Sequence, residues 1–96
     1  MQKRTSLMVA YDLLRLGIFG ATKTQLVYRG NLNFRLIKKW LSRLISKGLI
    51  EFYPGPPKTW GTTEKGVKFL LAMDKVMAIW DDGLIHMDIM KQEVTT

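Results

Sequence analysis

Arg35, Lys38, Lys39, Ser42 and Ser46 recur at i, i+3, i+4, i+7 and i+11, with Arg43 alongside, so a helix through them shows one face of guanidinium, ammonium and hydroxyl groups. Such a face donates hydrogen bonds and carries positive charge, which is the chemistry of holding an oxyanion. The stretch from Thr22 to Ile50 also contains Lys23, Arg29 and Lys47 and not one acid. A solvated helix ordinarily interleaves Glu with Lys at i, i+4. Here the like charges repel, and a polyanion would supply the missing negative charge. The same helix repeats Ile37, Leu41, Leu44 and Ile45 on its opposite side, with Trp40 at the edge, so one element has an apolar face for a core and a cationic face for a partner.

The elements that must position this face follow from periodicity and punctuation. Leu7, Met8, Tyr11, Leu14 and Ile18 predict a first amphipathic helix that ends near Gly17 as a C′ residue. Thr22 is an N-cap for a second helix, Lys23 to about Arg29, with Leu26 and Val27 inward. Gly30 and Asn31 tolerate positive φ and suit a tight turn, in which Leu32 enters the core. Asn33 caps a third helix, 34–47, and Gly48 stops it. A short helix, a tight turn and a longer helix is the spacing of a helix-turn-helix. The period then changes: LIEFY reads as a strand, PGPPKT as a turn and TWGT as the returning strand. Such a hairpin after the third helix is a wing, with Lys58 near its tip. Thr63 caps a fourth helix that begins at Glu64.

Charge and composition bound the rest. The 96 residues are 47% hydrophobic and 24% charged, as in an ordinary small globular domain. The net charge is +7, and it is unevenly spread: residues 1–68 carry thirteen bases and three acids, residues 69–96 two bases and five acids. A basic body beside a mildly acidic tail points the body at a polyanion. There is no cysteine, hence no disulfide framework or thiolate site. Asp12 and Arg15 interrupt the N-terminal apolar run, no segment is a membrane helix, and the expected location is the cytoplasm, on the nucleoid. His86 is the only histidine, and its spacing from Asp81, Asp82 and Asp88 fits no standard metal loop. No nucleophile–base set, phosphate loop or dinucleotide fingerprint is present, so the expectation is a non-enzyme without metal, cofactor or small-molecule substrate.

From Gly66 onward Phe69, Met73, Val76, Trp80, Gly83, Met87 and Met90 alternate spacings of three and four, widened by Leu70, Met77 and Leu84. This is the seam of a helical interface. The expected dimer contacts are Phe69, Leu70, Met73, Val76, Met77, Trp80, Leu84 and Met87, giving a division into 1–66 and a dimerisation element, 67–96. Asp81-Asp82-Gly83 is also a helix stop, and the alternation that follows it fits a short strand, so the helix has a second possible end near Asp82.

Gly20, Lys23, Thr24, Tyr28, Arg29, Asn31, Leu32, Asn33 and Phe34, then Lys47-Gly48-Leu49-Ile50, then Thr63, Lys65 and Gly66 together form a pattern. In this the chain resembles the archaeal winged helix-turn-helix family over about residues 7–73. Two departures are Trp40, where Tyr is usual, and Gly61-Thr62, where an apolar residue usually precedes Thr63, which implies a shorter wing. The resemblance implies a mainly α fold with a small β-hairpin wing (α+β) and double-stranded DNA as partner, for small transcriptional regulators or chromatin proteins of the ten-a type. It also implies a homodimer joined by an antiparallel coiled coil. On that reading helix 34–47 enters the major groove, with Asn33, Arg35, Lys38, Lys39 and Ser42 nearest the bases. Thr22, Lys23 and Thr24 hold phosphate, Arg29, Arg43 and Lys58 add charge along the backbone, and Asn31 joins them from the turn. Two alternatives stand beside the regulator: a non-specific architectural protein, and a winged helix that serves as a protein-docking module.

Overall fold

The computed structural model describes the backbone of residues 4–95 and the side chains of residues 4–80. Six elements follow in order: α1 (Ser6–Leu16), α2 (Lys23–Arg29), α3 (Phe34–Ser46), β1 (Ile50–Tyr53), β2 (Thr59–Thr62) and α4 (Glu64–Thr95). The fold is α+β, three helices and a hairpin around one core, with α4 continuing beyond it.

α2, α3 and α4 each start at the residue expected to cap them, and α1 starts at Thr5, whose Oγ1 accepts from the Met8 N–H at 3.2 Å. Thr22 forms a reciprocal capping box with Gln25: Thr22 Oγ1 accepts from the Gln25 N–H at 3.2 Å, and Gln25 Oε1 accepts from the Thr22 N–H at 2.9 Å. Asn33 Oδ1 accepts from the Leu36 N–H at 2.7 Å, and Thr63 Oγ1 from the Gly66 N–H at 3.1 Å. α3 ends in paired bonds, Leu49 N–H to the Leu44 carbonyl and Gly48 N–H to the Ile45 carbonyl, both 2.9 Å. That closure places Gly48 at φ +72°, where a Cβ would be strained. In the turn after α2 it is Asn31, at φ +54°, that adopts the left-handed conformation, and Gly30 stays right-handed at φ −83°. Gly17 likewise closes α1 in the right-handed region, at φ −87°, and not as a C′ residue.

The core is one cluster: Val9, Ala10, Tyr11, Leu13 and Leu14 of α1, Leu26 and Val27 of α2, Ile37, Leu41 and Leu44 of α3, with Ala21, Leu49, Ile50, Trp60 and Leu70. The inward face of α1 is therefore centred on Leu13 and Leu14, and Leu7 and Ile18, expected on it, are 58% and 44% exposed. α1 packs against α2, β2 and α4 at once, so its buried face is broader than a single stripe and turned toward those neighbours. Ile45, also expected inward, is 43% exposed, because it flanks the line through Ile37, Leu41 and Leu44.

The hairpin is regular. β1 and β2 pair antiparallel from Ile50↔Thr62 to Tyr53↔Thr59. Ala21 adds a short third edge, exchanging both backbone hydrogen bonds with Trp60 at 3.0 and 2.8 Å. Gly61 and Thr62 do not shorten the hairpin. Gly61 leaves room for the Tyr53 ring, whose Cε2 would lie 2.8 Å from a Cβ there. Thr62 Oγ1 donates to the Leu14 carbonyl at 2.6 Å, and its N–H donates to the Gly17 carbonyl at 2.9 Å.

α4 runs through Gly83 without a break and ends at Thr95, so the strand considered for residues 84–89 does not form. One interior glycine costs a helix about 1 kcal/mol relative to alanine, and the good helix formers around it can offset that. Where α4 begins it lies hard against the chain before β1. A Cβ on Gly66 would fall 2.2 Å from the Leu49 carbonyl oxygen and 2.5 Å from Thr62 Cγ2. Tyr11 then ties α1 to α4, its hydroxyl donating to Asp74 Oδ1 at 2.5 Å. That bond, then partial burial and the Asp74 charge, raise the Tyr11 pKa above its ordinary 10.0.

Gly66→Ala is expected to lower stability by about 1–3 kcal/mol, the usual range for overpacking, as read by urea denaturation. A raised tyrosine pKa means that the folded state holds its proton longer than the unfolded chain. The contribution of Tyr11 is thus complete below pH 10 and lost as pH rises through the folded value. Tyr11→Phe is expected to lower the melting temperature at neutral pH and to flatten its decline above pH 10.

Candidate nucleic-acid interface

α3 is held from behind by Ile37, Leu41 and Leu44, which are 0%, 4% and 1% exposed. That fixes its rotation about its own axis and leaves Arg35, Lys38, Lys39, Ser42, Arg43 and Ser46 on the surface. Among the described residues the only ion pair is Arg4–Asp12, at 2.8 Å. The α3 cations therefore have no carboxylate within 4.0 Å among those residues. Arg43 instead lies over the Trp40 ring, 5.3 Å from its centroid. The basic face expected from the sequence exists, and among the described residues no acid pairs with it.

The other expected site residues divide. Lys23 sits at the start of α2 with its Nζ 5.6 Å from the centre of the Trp60 ring, which joins α2 to the wing. Thr24 is exposed beside it, and Lys58 is exposed at the far end of the hairpin. Thr22 and Asn33 have less to offer a partner than the sequence implied. The Thr22 N–H and one lone pair of its hydroxyl are taken up by Gln25, and the Asn33 oxygen caps α3. The Asn33 amide NH₂ and the Thr22 hydroxyl proton remain. Asn31 is exposed in the turn. Arg29 borders a shallow depression with Asp12, Arg15 and Leu16, so its neighbours are the charges of α1 and not those of α3.

Several participants were not legible beforehand. Arg4 donates to Asp12 and, through Nη2, to the Gly30 carbonyl at 2.6 Å, so it pins the turn of the helix-turn-helix to α1. Tyr28 and Phe34 meet edge to face, centroids 6.5 Å apart, yet are 74% and 49% exposed. With Leu36 (40% exposed) they place apolar surface beside the cationic face. Aromatic residues in an amphipathic pattern read as core, and nothing in the sequence marks these as surface. On the wing the Tyr53 hydroxyl donates to Glu51 Oε2 at 2.8 Å. That bond, with the Glu51 charge, raises the Tyr53 pKa above 10.0, so the wing tyrosine stays neutral.

The expected dimer seam is partly claimed by the domain itself. Leu70 is 4% exposed and belongs to the core, and Phe69, Met73 and Met77 are half-buried against it. They are not free for a partner to the extent the heptad implied, because α4 packs on α1 and β2 with that same face. Val76 and Trp80 are 58% and 68% exposed, as are Leu71 (56%) and Ile79 (69%) nearby. Leu84 and Met87, and the acids around His86, lie outside the described side chains.

No helix among the described residues is long and apolar enough to cross a membrane, and no three His, Asp or Glu side chains among them gather as a metal cluster. A capped helix-turn-helix, its second helix bearing the exposed cations, followed by a two-stranded wing, defines a winged helix-turn-helix domain. The model of the winged helix-turn-helix family matches residues 3–80, and the chain belongs to that family. It is similar in structure to Sso10a-2, a DNA-binding protein from Sulfolobus solfataricus, with a TM-score of 0.74. That match covers 93% of this chain and 95% of the other at 19% identity, and it shows a common fold. No curated protein matches the chain.

Asn33→Ala is expected to remove about 1 kcal/mol of stability by uncapping α3, as read by chemical denaturation. Asn33→Asp should keep the cap and hold stability near the parent value.

Proposed function

We propose that this chain binds double-stranded DNA as a homodimer and acts as a transcriptional regulator, with α3 in the major groove. The observation that carries the reading is the acid-free, outward face of α3, whose cations have no ion-pair partner among the described residues. A DNA duplex supplies a dense row of phosphates to such a face. On this reading Lys38, Lys39 and Arg43 contribute charge, while Arg35 and Ser42 would meet base edges, Arg being able to hold guanine bidentately. Asn33 adds its free NH₂ and Asn31 its exposed amide from the turn. The α2 start, with Thr22, Lys23 and Thr24, sits beside the wing through Ala21 and Trp60, so Lys58 and Lys23 would follow the phosphate backbone on that side. Arg29, beside Asp12 and Arg15 of α1, would act as long-range charge. The similar Sso10a-2 is described as DNA-binding, which agrees with this reading.

For the dimer, Leu71, Val76, Ile79 and Trp80 supply the exposed apolar surface along α4. An exposed patch on a long helix commonly finds a partner copy. An architectural role, in which the same face holds DNA without regard to sequence, is favoured over a docking module by the abundance of Lys, which protein interfaces deplete.

The test is fluorescence anisotropy over a salt series, on a random duplex and on a duplex from the region upstream of the gene. A preference for the upstream duplex supports a regulator, and equal affinity with steep salt dependence supports an architectural binder. No binding to either at low salt rejects DNA as the partner. Lys38→Ala with Lys39→Ala is expected to weaken binding to every sequence and to reduce the salt slope by about two, one per phosphate contact. Arg35→Ala should cost about 1–3 kcal/mol on a preferred sequence and much less on a random one.

A further inference from the structure

Behind α3, on the side away from α2, a cleft of about 270 Å³ opens between α1, α3 and the start of α4. Leu7 and Ala10 of α1, Trp40 and Leu44 of α3, and Phe69 of α4 form its apolar walls. Leu44 and Ala10 are buried at its floor, while Leu7 is 58% exposed. The charged residues of the lining are Arg43 and Lys47, and no acid lines the cleft. A third cation stands close by, since Lys65 Nζ donates to the Lys47 carbonyl at 2.7 Å. The Arg43 guanidinium, 5.3 Å from the Trp40 ring centre, is held against the cleft wall with no carboxylate partner among the described residues.

From this geometry we infer a second binding site, for a small amphipathic carboxylate. An apolar floor favours an apolar body, since burying it removes surface from water. A mouth with cations of one sign and no acid selects an anion, and a guanidinium matches a carboxylate with two parallel hydrogen bonds. At about 270 Å³ the cleft lies just below the roughly 300–1,000 Å³ range of ligand pockets, which fits one medium-chain or aryl acid and is too small for a helix. Arg43 belongs both to this mouth and, on the DNA reading, to the phosphate-facing charge of α3. The acid and the duplex therefore compete for it, and each lowers the other's affinity by the same factor. Only this coupling rests on the DNA reading, and occupancy of the cleft does not.

The test is a titration of the full chain, without DNA, with sodium octanoate and with octan-1-ol, by calorimetry and by tryptophan fluorescence, in the parent and in a Trp60→Phe, Trp80→Phe variant that leaves Trp40 as the reporter. Octanoate is expected to bind saturably, one per chain, and markedly more tightly than the alcohol. Lys47→Gln and Leu7→Glu, both at exposed positions, are expected to weaken octanoate severalfold while the circular dichroism spectrum and melting temperature stay near those of the parent. Absence of saturation, equal binding of acid and alcohol, or indifference to both variants overturns the site. Loss of octanoate binding as protein concentration rises would give the cleft to a second copy of the chain and also overturn it. Repeating the titration with duplex present reads the coupling, and binding of octanoate without any duplex binding separates this site from the DNA reading.

Discussion

The basic surface depends on the burial of three side chains. Ile37, Leu41 and Leu44 lock one side of α3 into the core, and each is almost wholly removed from water. A helix held on one side has no freedom to roll, so its opposite face is set to within the tolerance of core packing. Without that anchor the four like charges of α3, Arg35, Lys38, Lys39 and Arg43, would weaken the helix by repelling one another. Burial of the apolar stripe opposes the repulsion, and the charged face is left available to a partner.

The wing depends on the same core through different bonds. Trp60 is buried, pairs with Ala21 through backbone bonds on one side, and packs on Phe52 with ring centroids 5.0 Å apart on the other. Thr62 fastens the base of the hairpin to the end of α1. Through Trp60 and Lys23, the start of α2 and the wing form one body, and the loop from Pro54 to Lys58 extends from it. Gly66 completes the arrangement, because only a residue without a Cβ lets α4 start against Leu49.

The places where sequence reasoning fell short share a cause. Leu7, Ile18 and Ile45 have the right residue type for a core and the wrong angle, since the neighbours that decide which part of a helix is covered are distant in sequence. Leu70 fits a heptad seam equally well as a core residue of its own domain, and only the contact of α4 with α1 decides between them. Capping takes the Asn33 Oδ1 and the Thr22 N–H and leaves the Asn33 NH₂ and the Thr22 hydroxyl proton to the surface, a division that the residue types alone do not give. Gly83 was a plausible stop because a turn propensity is local, whereas helix continuation depends on the residues on both sides.

The sequence by itself determined the elements and their order. Caps, glycine positions and the change of period from 3.6 to 2 are local signals, read within a few residues of where they act. It also determined that α3 has one apolar and one cationic face, because that depends only on spacing. The tertiary structure decided what each face meets. It set the rotation of α1, the exposure of Tyr28 and Phe34, the tie from Arg4 to the α2–α3 turn, and the cleft beneath Trp40. These rest on contacts between residues far apart in the chain, whose meeting follows from packing three helices and a hairpin around one core and not from any short pattern.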